Sequence, residues 1–476
     1  MFSLLFLNKL NSELLSLKSV KDLELEELFN SNTINILTKK CSNDEILARQ
    51  SFFKSMDNKA FFDNLYDFHI GLKSLVRNKK NLVCVNKDIE YYFCFLNYAK
   101  EYTKIIQKSE FLIVENLAFV NNFKNDLELA IDSLNELAQL IFEFENHIQK
   151  YKKMVLTYNG NIKFFVHEND IYSQLLYISQ KMELDVVSNC KSKNRTIPKS
   201  TVNTIISKET KDHLIKLIEK IESLLNEDIY YLIPDLDFYF NVYSLKTKAY
   251  EYNIPSCYPT ISDEPCFIAK NVFNISLIDT IKDKIVPNDV FFTNEKNFFI
   301  LTGANSGGKT SYLKAIAINL LLFLGGCPIF CSNAKIYPFS KIFTHFCSDE
   351  KNTKNGSFND EYQNIKSLVD TINNFDDCFI LFNEPLTTTN SVKAETLICE
   401  MVDSFYNKGR FGLLITHFHS IANMNIPSLH VVVNNKDDNL RTYKIENGSA
   451  SSSYAIDILK KYKLDNKSLG CGFNNE

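Results

Sequence analysis

The chain has 476 residues, of which 45% are apolar and 23% charged, and a formal net charge of -4. That length exceeds one ordinary core and predicts a multidomain protein with domains of about 100 to 200 residues. The near balance of charge excludes a globally basic nucleic-acid binder, so any such surface must be local.

The first apolar run, Phe2-Ser3-Leu4-Leu5-Phe6-Leu7, is shorter than the core of a signal peptide and has no basic leader. No later stretch nears about 18 uninterrupted apolar residues. Both observations predict a soluble, cytoplasmic protein. The 12 cysteines are scattered, and although Cys327 and Cys331 are near neighbours, no second pair stands at zinc-finger spacing, so buried reduced thiols are expected.

Up to about Tyr250 the pattern is mostly helical. Leu127, Ile131, Leu134, Leu137, Ile141, Phe144 and Ile148 recur at steps of three and four, which predicts one amphipathic helix of many turns. A second such face carries Leu214, Leu217, Ile218, Ile221, Leu224 and Leu225, and the two helices could pack antiparallel. Between them lies a polar insert over 152–207, with four basic residues and no acid in 188–200. That tip reads either as a contact to a phosphate backbone or as a solvated loop with an ordinary lysine excess.

Near Pro255 the helical pattern gives way to proline and short apolar bursts, which predicts two domains, 1–255 and 256–476. The second alternates strand (Phe298 to Leu301), helix (Thr310 to Phe323), strand (Cys378 to Phe382), helix (Lys393 to Tyr406) and strand (Gly412 to Thr416). Such alternation predicts an α/β domain with a mainly parallel sheet covered on both faces.

Between the first strand and helix runs Gly303-Ala304-Asn305-Ser306-Gly307-Gly308-Lys309-Thr310-Ser311, a full phosphate-binding loop. Its glycines let backbone N–H groups turn toward phosphates, and the following helix adds the positive end of its dipole. Lys309 should reach the β- and γ-phosphates of ATP, and the Thr310 hydroxyl should ligate Mg²⁺, a hard ion that prefers oxygen. The strand Cys378-Phe379-Ile380-Leu381-Phe382 ends in Asn383-Glu384, which makes Glu384 the candidate general base. An aspartate would ordinarily precede it and hold a Mg²⁺-bound water; Asn383 offers only a neutral oxygen, so hydrolysis is expected to suffer more than binding. His417, at the end of the next strand, would lie beside the γ-phosphate, or else be structural.

Taken in order, these pieces resemble the ATPase domain of the MutS family of DNA mismatch-repair and recombination proteins. Gly303 to Leu313 is similar to the family's GPNMGGKSTYL loop, Val286-Pro287-Asn288-Asp289 to the segment before the P-loop strand, and Asn355 to Tyr362 to its STFMVEM stretch. Leu381-Phe382-Asn383-Glu384 is similar to LLDE, Thr416-His417-Phe418-His419 to THYHE, and Ser453-Tyr454-Ala455-Ile456 to SYGI. The resemblance implies nucleotide contacts from Gly303 through Ser311 and from Asn288, and Mg²⁺-bound water near Asn383 and Glu384. It also implies a homodimer in which Ser357 of one copy faces the γ-phosphate held by the other. The helices before Pro255 would be core and lever regions, with 152–207 where a clamp would sit.

The departures from the family narrow the expectation. The only Phe-x-Glu tripeptide is Phe382-Asn383-Glu384, already in the nucleotide site, and Ile285 stands where a base-stacking aromatic would precede the proline-asparagine pair. Gly356 replaces a serine, and Pro385 to Ser391 lacks the usual Gly-Arg-Gly. The function expected is an ATP-dependent, DNA-binding ATPase that closes as a dimer on structures other than mismatches. The alternative is a nucleotide-gated dimeric interaction protein with weak or absent hydrolysis. An ATP-binding transporter subunit is disfavoured, because no LSGGQ-like segment precedes Phe379.

Overall fold

A computed structural model describes residues 2–6, 12–84, 89–115, 117–149, 155–156, 161–164, 195–198, 211–281, 285–303, 307–346, 358–386, 392–418, 421, 424–433 and 441–448. The chain forms two compact units, one of residues 1–7 and 54–236 and the other of 8–53 and 237–476. Residues 8–53 thus join the nucleotide-loop unit, which no pattern in the sequence announced. Among the described residues no helix is long and apolar enough to cross a membrane.

In chain order the first helices are α1 (Leu17–Asp22), α2 (Ser31–Leu37) and α3 (Asn43–Met56). Each starts where a side chain takes an orphan N–H: Ser16 caps Ser19, Asn30 caps Thr33, and Ser42 and Glu45 exchange reciprocal bonds in a capping box.

These helices belong mainly to the unit of 8–53 and 237–476, and the other unit holds α4 (Lys59–Cys84), α5 (Ile89–Lys108), α6 (Glu110–Val114), α7 (Lys124–Asp132) and α8 (Leu134–Gln149). The helix expected to run unbroken from Leu127 to Ile148 is therefore two. Ser133 interrupts it, its hydroxyl donating to the Ala130 carbonyl, a local bond that competes with the helical ladder. Strands β1 (Val155–Leu156), β2 (Asn161–Phe164) and β3 (Arg195–Pro198) make a small antiparallel ladder. The remainder of the insert over 152–207, with most of its basic tip, lies outside the described residues. Helix α9 (Lys211–Leu224) follows and buries Leu214, Leu217, Ile218 and Ile221, the face expected of it. Its start lies against the last turns of α8, since His213 and Glu143 pair there.

Helix α10 (Leu232–Glu251) leads into β4 (Thr260–Ile261), β5 (Phe267–Val272), β6 (Asn288–Phe292), β7 (Phe298–Thr302), α11 (Lys309–Leu324), β8 (Asn333–Ile336) and β9 (Lys341–Phe346). After these come α12 (Phe358–Ile372), β10 (Cys378–Asn383), α13 (Val392–Asn407), β11 (Phe411–Ile415), β12 (Ser428–Val433) and β13 (Arg441–Asn447). The main sheet runs β13-β12-β7-β11-β10-β9, parallel throughout except for the antiparallel edge pair β12 and β13. Its centre is apolar on both faces, as a covered parallel sheet requires. Gly412 in β11 has no room for a side chain, because a Cβ there would meet the Ile380 carbonyl oxygen at 2.4 Å.

A second sheet, β4-β8-β5-β6, is mixed, with β5 antiparallel to both neighbours. The α/β unit therefore holds the mainly parallel sheet expected and, in addition, a second, mixed one. Phenylalanines join them: Phe292 of β6 meets Phe299 of β7 and Phe379 of β10 with ring centroids 5.0 and 5.1 Å apart. Both contacts are edge-on, the arrangement that sets a positive ring edge against a negative face. Helix α11 is buried on all sides, which explains its continuous apolar sequence. Its one buried amide, Asn319, donates to the Phe273 and Ala315 carbonyls and accepts from the Phe330 N–H.

Candidate nucleotide site

Strand β7 ends at Thr302, and α11 begins at Lys309. Between them Gly303 has φ +133° and Gly308 φ +94°, conformations that a side chain rarely tolerates. Ala304, Asn305 and Ser306 lie outside the described residues. Lys309 is 4% exposed and its ammonium donates to the Gly303 carbonyl at 2.7 Å, folding over the loop it belongs to. Burial lowers its pKa, while the charge of Glu384 works the other way. Thr310 and Ser311 both face neighbouring strand ends or loops. Thr310 Oγ1 donates to Asn383 Oδ1 at 3.3 Å, and Ser311 Oγ accepts from Asn274 Nδ2 at 3.1 Å.

Asn383 and Glu384 sit together at the carboxyl end of β10, where parallel sheets present ligand-binding groups. Glu384 has φ +51° and is anchored by its N–H to the Ile415 carbonyl. Its Oε1 accepts from His417 Nε2 at 2.7 Å, and this bond holds its carboxyl below the usual carboxylate range against the opposing effect of burial. Glu384 and His417, two of the three expected catalytic side chains with Lys309, are thus brought together as a pair. Behind them Glu361 Oε1 accepts from the Leu386 N–H, so the STFMVEM-like segment fastens the loop that follows Glu384. Ser357 itself lies outside the described residues.

A cavity of 680 Å³, of the size that holds small molecules, opens beside the loop. Its walls include Ile285, Asn288, Gly308 to Tyr312, Glu384 and Tyr443. The Asn288 amide bonds both ways to β13, donating to the Tyr443 carbonyl and accepting from the Ile445 N–H. Its work in this structure is to hold Tyr443 against the cavity. A Cβ on Gly308 would sit 3.2 Å from the Tyr443 ring. Tyr443, with φ +55°, escaped the sequence reading. Nothing in its own segment distinguishes it, and only the antiparallel return of β13 brings it to the loop.

The donor set suits a nucleotide with a hard cation. A buried ammonium and a glycine-lined turn fit phosphate, and a hydroxyl, an amide oxygen and a carboxylate fit Mg²⁺ and its waters. Thr310 would ligate the ion; Asn383 and Glu384 would hold its waters.

Comparison with known proteins points the same way. Residues 299–469 match the family model described as MutS domain V. The chain is 21% identical over 351 residues to the DNA mismatch repair protein MutS of Fervidobacterium nodosum, covering 68% of this chain and 41% of that protein. It is 23% identical over 372 residues to the protein of the same name from Macrococcus caseolyticus, covering 73% and 43%. It is 24% identical over 316 residues to Endonuclease MutS2 of Finegoldia magna, covering 65% and 38%. The chain spans about two fifths of the length of these relatives. With the ordered motifs converging on one cavity, residues 299–469 are similar to MutS domain V, and most of the chain is similar at low identity to MutS and MutS2 proteins.

Proposed function

We propose that this protein is an ATP- and DNA-binding ATPase of the MutS type, in which Mg²⁺ and ATP at the Gly303–Ser311 loop drive closure of a homodimer on DNA. The observation that carries this reading is the convergence of Lys309, Thr310, Asn383, Glu384 and His417 at adjacent ends of β7, β10 and β11. In that site Lys309 neutralises phosphate charge, Thr310 contributes the hydroxyl ligand, and Glu384, oriented by His417, accepts the proton of the attacking water. Tyr443 offers its ring to the base and supplies the aromatic that Ile285 lacks. Ser357 of one copy reaches the nucleotide of the other. The DNA is double-stranded or branched, and structures other than mismatches are the expected targets; the mismatch-repair names of the relatives make mismatched duplex the necessary comparison.

The test is the ATPase rate of the purified protein with and without homoduplex, mismatched, forked and four-way DNA at low salt, beside Lys309→Ala. Hydrolysis no higher than that variant, together with no DNA binding, would sink the proposal. A second reading is favoured by one bond: Thr310 is paired with a neutral amide oxygen rather than a carboxylate. In that reading the protein binds ATP and dimerises but scarcely hydrolyses it. Nucleotide-dependent dimerisation without turnover would select it.

A further inference from the structure

We propose that Glu143, His147 and His213 form a binding site for a divalent transition-metal ion of the zinc class, joining the end of α8 to the start of α9. Glu143 and His147 are one helical turn apart on α8, so their side chains project from the same face. His213, near the start of α9, completes the group: its Nε2 lies 3.3 Å from Glu143 Oε1, and its ring centroid lies 4.3 Å from that of His147. One ligand atom from each of the three lies within 4.8 Å of the others.

Two imidazoles and one carboxylate are the ligand types that bind zinc with one position left for water. In a tetrahedral site, bonds of about 2.0 to 2.1 Å place ligand atoms roughly 3.3 Å apart. Closing the remaining gap takes small rotamer changes, which Glu143 and His213 can make because about half of each side chain is exposed. Imidazole nitrogens favour zinc, nickel, cobalt or copper over the magnesium required at the nucleotide loop, so the two sites would not compete for one ion. As a plain ion pair, the Glu143–His213 contact would contribute little at this exposure. As a metal site it closes the long segment 148–212 into a loop, where a clip has most entropy to remove from the unfolded chain. The ion would fix the base from which that segment leaves the helices.

The test uses the full chain, stripped with chelator and titrated with Co²⁺ and Zn²⁺, beside His147→Ala/His213→Ala and Glu143→Gln. The expected result is one more equivalent of Co²⁺ bound by the wild type than by the double variant, with ligand-field absorption lacking a thiolate band. Glu143→Gln should bind at least tenfold more weakly. Zinc should slow amide exchange in the last turn of α8 and the first turn of α9 in the wild type alone. Equal stoichiometry and affinity in wild type and double variant would overturn the proposal, as would a thiolate band in the absorption of the additional Co²⁺ equivalent. Unchanged exchange in those two turns on adding zinc would also overturn it.

Discussion

Thr310 Oγ1 donates to Asn383 Oδ1 across 73 residues of sequence, tying the first turn of the loop helix to the end of β10. The position that receives this bond is where a metal-dependent site gains most from a negative charge. A carboxylate there would hold a Mg²⁺-bound water and strengthen the Thr310 bond, since bonds to ionised acceptors are roughly twice as strong as neutral ones. Asn383→Asp should therefore lower the Mg²⁺ concentration needed for half-maximal turnover by about tenfold or more, the equivalent of at least ~1.4 kcal/mol. Mg²⁺ titration of the ATPase rate reads this directly. An unchanged half-maximal concentration would show that the amide already serves.

The His417–Glu384 bond makes a prediction about pH. His417 is the largest cause of the lowered pKa of Glu384, so the carboxylate persists to lower pH than an isolated one would. Because the folded pKa is depressed, the favourable contribution is present above the ordinary glutamate pKa and is lost as pH falls through the folded value. His417→Ala should move the acid limb of the ATPase profile upward, toward the ordinary value, as well as reducing the rate. Glu384→Gln should abolish turnover by about 100-fold or more while leaving ATP binding intact. An acid limb that stays in place in His417→Ala would remove Glu384 from the role of base.

Tyr443 gives a prediction about nucleotide affinity. Its ring lines the cavity beside Gly308, and its backbone is pinned by Asn288. Base–aromatic stacking contributes about 1 to 3 kcal/mol, so Tyr443→Ala should weaken ATP binding by roughly tenfold, with Tyr443→Phe near the wild type. Asn288→Ala should weaken it less, through loss of positioning. Fluorescent-nucleotide displacement measures all three, and equal affinity of Tyr443→Ala and wild type would place the base elsewhere.

The parts of this site that were legible in the sequence are those written in one short stretch. Phe298 to Leu301 and Cys378 to Phe382 read as buried strands because both faces of a covered sheet must be apolar, and each strand is one residue longer in the structure; the glycines of the loop announce a turn that other residues resist. The second sheet was not legible: β5 buries only alternate or irregular positions, and β4 and β8 are very short. Tyr443 and the Glu361–Leu386 bond were invisible for a different reason. Their significance comes from chain segments that meet only after the sheet has formed.

His345 sits on β9 and is 4% exposed, against the ring of Phe382, with Lys18 Nζ 3.4 Å from its Nδ1. Burial, and then the Lys18 charge, lower its pKa to about 4. Its Nε2 has no hydrogen-bond partner among the described residues. The imidazole is therefore held neutral in the folded chain, whereas an unfolded chain takes up a proton near pH 6.5. Since the unfolded state binds the extra proton, stability falls as pH drops from about 6.5 toward 4, by on the order of 3 kcal/mol if the whole shift is realised. His345→Gln removes the titrating group and should flatten that part of the curve, while costing some stability at neutral pH through altered packing against Phe382. Urea unfolding of both proteins between pH 7 and 4.5 measures the difference. If the two slopes are the same over that interval, His345 is not the group that loses its proton on folding.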